Sequence, residues 1–533
     1  MRQPTRRQLL SATASLSAAT ALGGLAPAAL AQAAAQGPGQ GGSQGRPRSL
    51  AVAMSRDIQG ALLPTSRTSF QEANIMRAVM QGLISFKPGT FDWELQAARS
   101  ITQVSPTEIS FELRPGLKWH DGSGEMTAED VKFSFESFSQ PGPDGRPSTY
   151  KADWDALDHV EVTGPLSGRI LLKKPAPQLW TVVLPEGSGL IYSRKALEAG
   201  AYRTDRQPLR VIGTGPYLFG EWVPNQRVVL RRNPDWVGDK PDFDEIVVRP
   251  VRDPKTAELA LRADELQFTA VEPSSAAAVA KLPATRVLNQ DSINMVWIGI
   301  NVEKPPFTDL RVRQAIRLAL DPEQITQGGY DGAVGTATGP IAPPLLGYWK
   351  DAPRPARDVA AAKKLLAEAG MPNGFRTRLT LLNRPVFQNV GVITQALLAE
   401  VGIQLDLDVQ DAGTFWSAGS GDAGKALDLS LQRFGGKADP AFQLQWFTAD
   451  QVGQWNWERW RSPEYDELYR RAGATDDKAE RARLYIEAQK VMEASAAFIW
   501  LTHEKNVMGF RDWLQPAVMP NGDDMLLARF RSA

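Results

Sequence analysis

Three histidines, sixty acidic residues and no cysteine bound the chemistry open to this chain of 533 residues. In "LKWHDGSGEMTAEDVKFSFE" (117–136) His120 stands beside Asp121, the residue types of a general acid–base pair. Their surroundings point elsewhere. Asp121-Gly122 and Ser123-Gly124 are turn dipeptides, and Ile109, Phe111 and Leu113 alternate as on a half-buried strand. Thr127 and Asp130 form a variant capping box ahead of Val131, Phe135 and Phe138. Strand, turn and capped helix follow, with His120 and Asp121 in the turn. His159 and His503 complete no HExxH spacing, no GxSxG occurs, and thiolate metal sites, disulfides and thiol nucleophiles are excluded. No catalytic residue, cofactor or metal ligand is expected, which leaves an exported hydrolase as the weaker alternative.

Binding chemistry is better represented. Residues 428–460, "DLSLQRFGGKADPAFQLQWFTADQVGQWNWERW", hold Trp446, Trp455, Trp457 and Trp460, four of the fifteen tryptophans. Gly435, Gly436 and Gly453 break the segment into irregular chain. Indole gives wide apolar contact at low rotamer cost plus one N–H donor, which suits a pocket for variable side chains. Trp460, next to the helix that opens at Pro463, is expected in the core. Asn456 can bond a ligand amide or close a turn. Arg433 and Lys437 favour a carboxylate-bearing ligand, unless they are only solvated surface charges.

The elements that must position these residues alternate between strand-like and helix-like patterns from about residue 48, so an α/β fold is predicted. Helices are predicted at 311–320, at 358–369 between Asp358 as N-cap and Gly370 as stop, at 387–400 and at 478–494. The strand "IQLDLDV" (403–409) follows the third. The amino terminus reads as an export signal over 1–31, with Arg6-Arg7 of twin-arginine type and a cleavage site near Ala31. A flexible Gly/Gln/Pro linker occupies 32–47. Without Arg2, Arg6 and Arg7 the mature chain carries 57 basic against 60 acidic residues, so no strong field draws it to nucleic acid or anionic lipid. With no lipidatable cysteine and a weakly apolar leader, a membrane anchor is not expected; a freely diffusing periplasmic monomer is.

Four segments carry a family resemblance. These are "LRPGLKWHDGSGEMTAEDVKFSFE", "GTGPYLFGEWVPNQRVVLRRNPDWVGDKPDFDEIVV" (213–248), "NVEKPPFTDLRVRQAIRLALDPEQI" (301–325) and "WRSPEYDELYRRA" with "RARLYIEAQKVME". In this order they resemble the landmarks of family 5 of the periplasmic solute-binding proteins, the peptide, dipeptide and nickel receptors of ABC importers. The resemblance implies a two-lobed, class II-like "Venus flytrap" with an extra domain inserted in the first lobe. Mapped here, lobe I takes 48–86, 205–290 and 500–533, the inserted domain 87–204, and lobe II 291–499. The lobe crossings fall at 295–301 and near 499–501.

The implied function is capture of a small peptide or peptide-like ligand between the lobes and delivery to an ABC permease in the inner membrane. Opines, glutathione-like compounds and nickel chelates are the alternatives, and a sensing role without transport stays open. The ligand wall is expected from Phe434, Gly435, Gly436, Asp439, Trp446, Trp455, Asn456 and Trp457, with Trp297 and Arg433. Asn301 and Tyr217 are lesser candidates, Tyr217 being read as structural. In the best-known peptide receptors of that family, a carboxylate four residues before a proline grips the ligand's α-ammonium. Counting back from Pro440 gives Gly436, whereas Asp439 directly precedes the proline. Either Asp439 or another acid takes that role, or the ligand is not an ordinary peptide.

Overall fold

The computed structural model describes residues 49–67, 69–141, 148, 150–354, 356–522 and 524–533. The expected export signal and linker lie outside the described residues.

Among those residues the strands gather into three principal sheets. A seven-stranded sheet runs in the order 217–223, 227–232, 245–250, 49–54, 268–271, 505–511 and 285–291. Its strand Ser49–Met54 lies parallel to both neighbours, and Lys505–Arg511 lies antiparallel to both of its own. A five-stranded sheet runs 404–410, 376–382, 429–434, 295–300 and 498–502. A four-stranded antiparallel sheet is built from 98–105, 108–113, 167–172 and 157–164. Its side chains Ile109, Phe111, Val160 and Ile170 share one continuous core with Leu50, Val52 and Phe268 of the seven-stranded sheet. The inserted segment is thus fastened to the first sheet by common apolar burial rather than by a core of its own.

Alternation sorts the five-stranded sheet into two faces. Val296, Ile298 and Ile300 enter one core with Leu429 and Leu431, while Met295 and Trp297 enter another with Phe434, Phe447, Trp460 and Trp500. Both faces of the strand Met295–Ile300 are covered, which explains its unbroken burial. The predicted helices form at Leu310–Ala319, Val359–Glu368, Pro385–Ala399 and Lys478–Ser495. Asp358 caps the second by accepting the Ala361 N–H at 2.9 Å. The capping box holds too, Asp130 accepting the Thr127 backbone N–H at 2.8 Å ahead of helix Ala128–Glu136.

His120 is part of this framework. Its Nδ1 accepts the Gly213 N–H at 3.3 Å and its Nε2–H donates to the Gly215 carbonyl at 3.0 Å, pinning the turn to the "GTGPY" loop. Both ring nitrogens are engaged, and Asp121 accepts from Ser123 N–H instead of from the ring.

The crossings need correction. The stretches 295–301 and 499–501 are strands inside the five-stranded sheet or their immediate continuation. The chain passes between the two large sheets at 292–294 and 503–504. These short passages are tied together: His503 Nδ1–H donates to the Asn294 carbonyl at 2.9 Å, and the Asn294 side-chain amide donates to Glu504 at 3.1 Å. The resemblance placed the crossings on these strands, and residue spacing carries no sign of where pairing changes sheets.

Burial lowers the His503 pKa from 6.5 to about 4. The folded chain therefore binds fewer protons than the unfolded chain between those values, and this contribution to stability, full above pH 6.5, is lost as pH falls through about 4. For His503→Gln, urea unfolding is expected to show that acid-linked loss, on the order of 3 kcal/mol, reduced relative to wild type over that window. Equal pH slopes in the two proteins would contradict it.

Candidate functional site

Strand Leu429–Phe434, central in the second sheet, delivers at its carboxyl end an irregular segment that caps into the helix Pro440–Leu444. The pleat puts Phe434 on the aromatic face, with the fully buried Trp297 behind it at a centroid distance of 5.1 Å. Outward from Phe434 the rings continue: Trp446 at 5.6 Å, Trp455 at 5.8 Å and Trp416 at 6.1 Å. Phe442 joins through Trp446 at 5.2 Å. Trp416 and Trp455 are each 37% exposed, so the patch is open to a solute. The Trp446 indole N–H is buried without a partner. Gly435 beside the patch is exposed, and a Cβ there would have only the Asn294 side chain within reach, at 3.8 Å.

A polar chain adjoins the aromatic patch. Lys437 lies 5.0 Å from the Phe442 ring and pairs with Asp153 at 3.1 Å. Asp153 accepts the Ser188 hydroxyl at 2.6 Å, and Ser188 Oγ accepts from Arg67 Nη2 at 3.1 Å. Lys437 follows a strand of the second sheet, whereas Asp153 and Ser188 belong to the segment fastened to the first. This chain therefore runs from one half of the molecule to the other. Thr181 adds a second tie, its hydroxyl donating to Asp439 at 2.7 Å.

Five of the residues expected at the solute wall, Trp297, Asn456, Trp457, Asp439 and Arg433, are engaged within the fold. Trp297 is fully buried and spends its indole N–H on Glu458 at 2.8 Å. Asn456 closes a turn: its amide donates to the carbonyls of Phe447, Thr448 and Trp460, and its oxygen accepts the Trp460 N–H. Trp457 is buried against Phe415 at 5.1 Å and supports the helix carrying Trp416. Asp439, 1% exposed, caps the following helix through the Ala441 N–H at 2.9 Å and pairs with Arg481 at 2.8 Å, both on Oδ1, while Oδ2 takes the Thr181 hydroxyl. Arg433 pairs with Glu504 at 2.7 Å in the second crossing. Trp460 packs on Tyr465 at 5.0 Å, in the core. Asn301 donates to the Leu427 carbonyl and Tyr217 to that of Phe243, both as framework.

Gly436 has a steric reason for its identity. A Cβ there would collide with the Gln443 side chain and the Ile293 carbonyl. The position where a family carboxylate was sought has no room for any side chain. Trp416 was missed in the sequence; its only signal was the adjacent pair Phe415-Trp416, an ordinary pattern for a helix packed on a sheet.

Behind the wall sits a buried acid. Glu458 Oε1 accepts from Trp297 and from the Gln432 amide at 2.8 Å each, while Oε2 has no partner. Gly299 faces it, and a Cβ there would overlap the carboxylate. Desolvation outweighs these hydrogen bonds and lifts the Glu458 pKa from 4.5 to about 7.

Residues 94–470 match the family model described as bacterial extracellular solute-binding proteins, family 5 Middle. A putative ABC transporter peptide-binding protein of Brucella ovis is 33% identical over 340 residues, 62% of this chain and 63% of that protein. The chain thus spans less than two thirds of that relative's length. The glutathione-binding protein GsiB of Pectobacterium atrosepticum is 31% identical over 404 residues, 74% and 77% of the two chains. Among solved structures, HbpA2 from Haemophilus parasuis superposes with a TM-score of 0.82 at 24% identity, covering 91% of this chain and 100% of that one. The fold is thereby the two-lobed α/β architecture.

Two outcomes test this geometry. The folded state holds a proton on Glu458 that the unfolded state releases between pH 4.5 and about 7, so its contribution to stability is full below 4.5 and lost as pH rises through 7. Glu458→Gln is expected to gain on wild type by on the order of 3 kcal/mol across that window in denaturant titrations; parallel pH profiles would refute the buried-acid assignment. Gly436→Asp is expected to lower unfolding free energy by about 1–3 kcal/mol through overpacking, read from urea midpoints, and an unchanged midpoint would show that the site has room.

Proposed function

Because the chain belongs to family 5 of the bacterial extracellular solute-binding proteins, we propose that it captures a small peptide or peptide-like solute between its lobes and hands it to an ABC import permease. The observation that carries this reading is the open patch of Trp416, Phe434, Phe442, Trp446 and Trp455 on one half, set beside a polar chain that reaches the other half. Flat rings take up varied side chains, and a solute that touches both halves favours the closed form. A solute held by one half alone would shift nothing. The peptide- and glutathione-binding relatives support a ligand of peptide character.

The seven-stranded sheet serves as the first lobe, with 87–204 as its insertion, and the second lobe runs from about residue 291 to Thr502, three residues beyond the sequence boundary. The leader over 1–31 directs twin-arginine export and is cleaved near Ala31, which places the mature monomer in the periplasm. No helix among the described residues is long and apolar enough to cross a membrane. The job is retention and delivery, with no bond made or broken.

Calorimetry with an equimolar tripeptide mixture and with glutathione, followed by mass analysis of the released solute, tests this reading. Saturable binding with the solute recovered intact is expected, and Trp455→Ala is expected to weaken it by about tenfold, the size of one lost aromatic contact. Conversion of the solute, or no binding by either preparation, would overturn the proposal.

A further inference from the structure

Arg67 is fully buried, and among the described residues no carboxylate lies within ion-pairing distance of it. Its Nη2 donates to Ser188, but Nε and Nη1 donate to nothing. The Tyr150 ring covers one side of the guanidinium at 3.6 Å. Gly187 closes in as well, since a Cβ there would stand 2.6 Å from Nε. The next residue back is Glu186, itself 5% exposed, whose Oε2 also lacks a partner. Asp153, linked to Arg67 through Ser188, is already held by Ser188 and Lys437.

A buried cation with unmade hydrogen bonds is unstable unless something supplies an anion. Structural charges normally find that partner within the fold, as Arg481 does with Asp439 and Arg77 with Asp524. Arg77 also leaves Nε and Nη1 unpartnered but has its carboxylate, whereas Arg67 has none, and the unpartnered Glu186 Oε2 belongs to the residue before Gly187. Burial also raises the Glu186 pKa, so this acid is a weak counter-charge for Arg67. Lys437 of the second lobe reaches the same place through Asp153 and lies 5.6 Å from the Tyr150 ring that covers Arg67, so a change of angle between the lobes would act on this contact.

We infer that Arg67 is a solute-binding residue whose Nε–H and Nη1–H take an α-carboxylate, while Glu186 Oε2 accepts from the N–H on the same α-carbon. This deepens the receptor reading above and rests on it. It defines the solute class as one ending in an α-nitrogen and a free α-carboxylate. A free peptide carboxyl terminus has that chemistry, and so does a γ-glutamyl head. The role once sought in a carboxylate for a peptide's amino end is replaced by a guanidinium for an acid end.

The test is calorimetry of the full mature chain with four probes. They are a tripeptide mixture with free carboxyl ends, the same mixture amidated, the same mixture N-acetylated, and γ-glutamylglycine amide, whose only free carboxylate is at its head. Wild type is expected to bind the free-acid and N-acetylated mixtures, or the γ-glutamyl probe, about 10- to 100-fold more tightly than the amidated mixture, as befits a charge-assisted bond. Which probe is preferred identifies which end is read. Arg67→Gln is expected to abolish the discrimination, leaving acid and amide within about twofold of each other. Arg67→Lys is expected to restore part of it, which a merely structural role would not do, and it stands in should Arg67→Gln not fold. Equal binding of acid and amide by wild type, or discrimination surviving in both variants, would overturn the inference and leave the receptor reading intact. No binding by any of the four would count against the receptor reading itself.

Discussion

Two short passages of chain, 292–294 and 503–504, carry the whole connection between the large sheets, and the hydrogen bond from His503 Nδ1 to the Asn294 carbonyl holds them side by side. A carbonyl can only accept, so this bond fixes the tautomer and leaves Nε2 bare in the interior. Glu504, the next residue, gathers Asn294 and Arg433, and Arg433 directly precedes Phe434 at the root of the aromatic patch. Any change of angle between the halves must be absorbed by these few residues, as hinges do. The same twelve-residue stretch, 428–439, therefore contains a hinge anchor at Arg433, a ring of the patch at Phe434, a cation reaching the opposite half at Lys437 and a buried cap at Asp439.

Much of this was legible from residue patterns, because it depends on local physics. Caps such as Asp358 and Thr127, the alternating strand at 108–113 and the helix at Leu310–Ala319 are written in spacing that neighbours along the chain enforce. The four clustered tryptophans were a sound pointer to an aromatic region, but composition cannot say which ring faces solvent. Trp455 is 37% exposed and Trp457 is 1% exposed, though only one residue separates them. The difference is set by the Asn456 turn, which turns its two neighbours to opposite sides. Asp439 misled for a similar reason: its partners Thr181 and Arg481 lie 258 and 42 residues away. Arg67 and Glu186 gave no sequence signal at all, since what marks them is the lack of a partner, a property of the assembled interior.

The second lobe also stores charge behind its aromatic wall. Glu458 links Trp297 to Gln432, two side chains on adjacent strands, and Gly299 leaves space for it. Trp297 in turn backs Phe434, so the wall's stiffness is coupled to a polar bond in the core. Its response to pH runs opposite to that of His503, one weakening the fold as pH rises toward 7 and the other as pH falls toward 4. The two effects offset over much of the range between.

Hinged closure about the two crossings is the claim on which the rest turns, and a distance between the halves reads it most directly. The chain has no cysteine, so spin labels can be placed at Val104→Cys in the inserted segment and Val392→Cys in the second lobe, both well exposed in the native chain. Pulsed electron-spin measurements are expected to show a broad distance distribution in the free protein that narrows and shifts to shorter values with a saturating peptide mixture. A single distribution, unchanged while solute is demonstrably bound, would contradict the account.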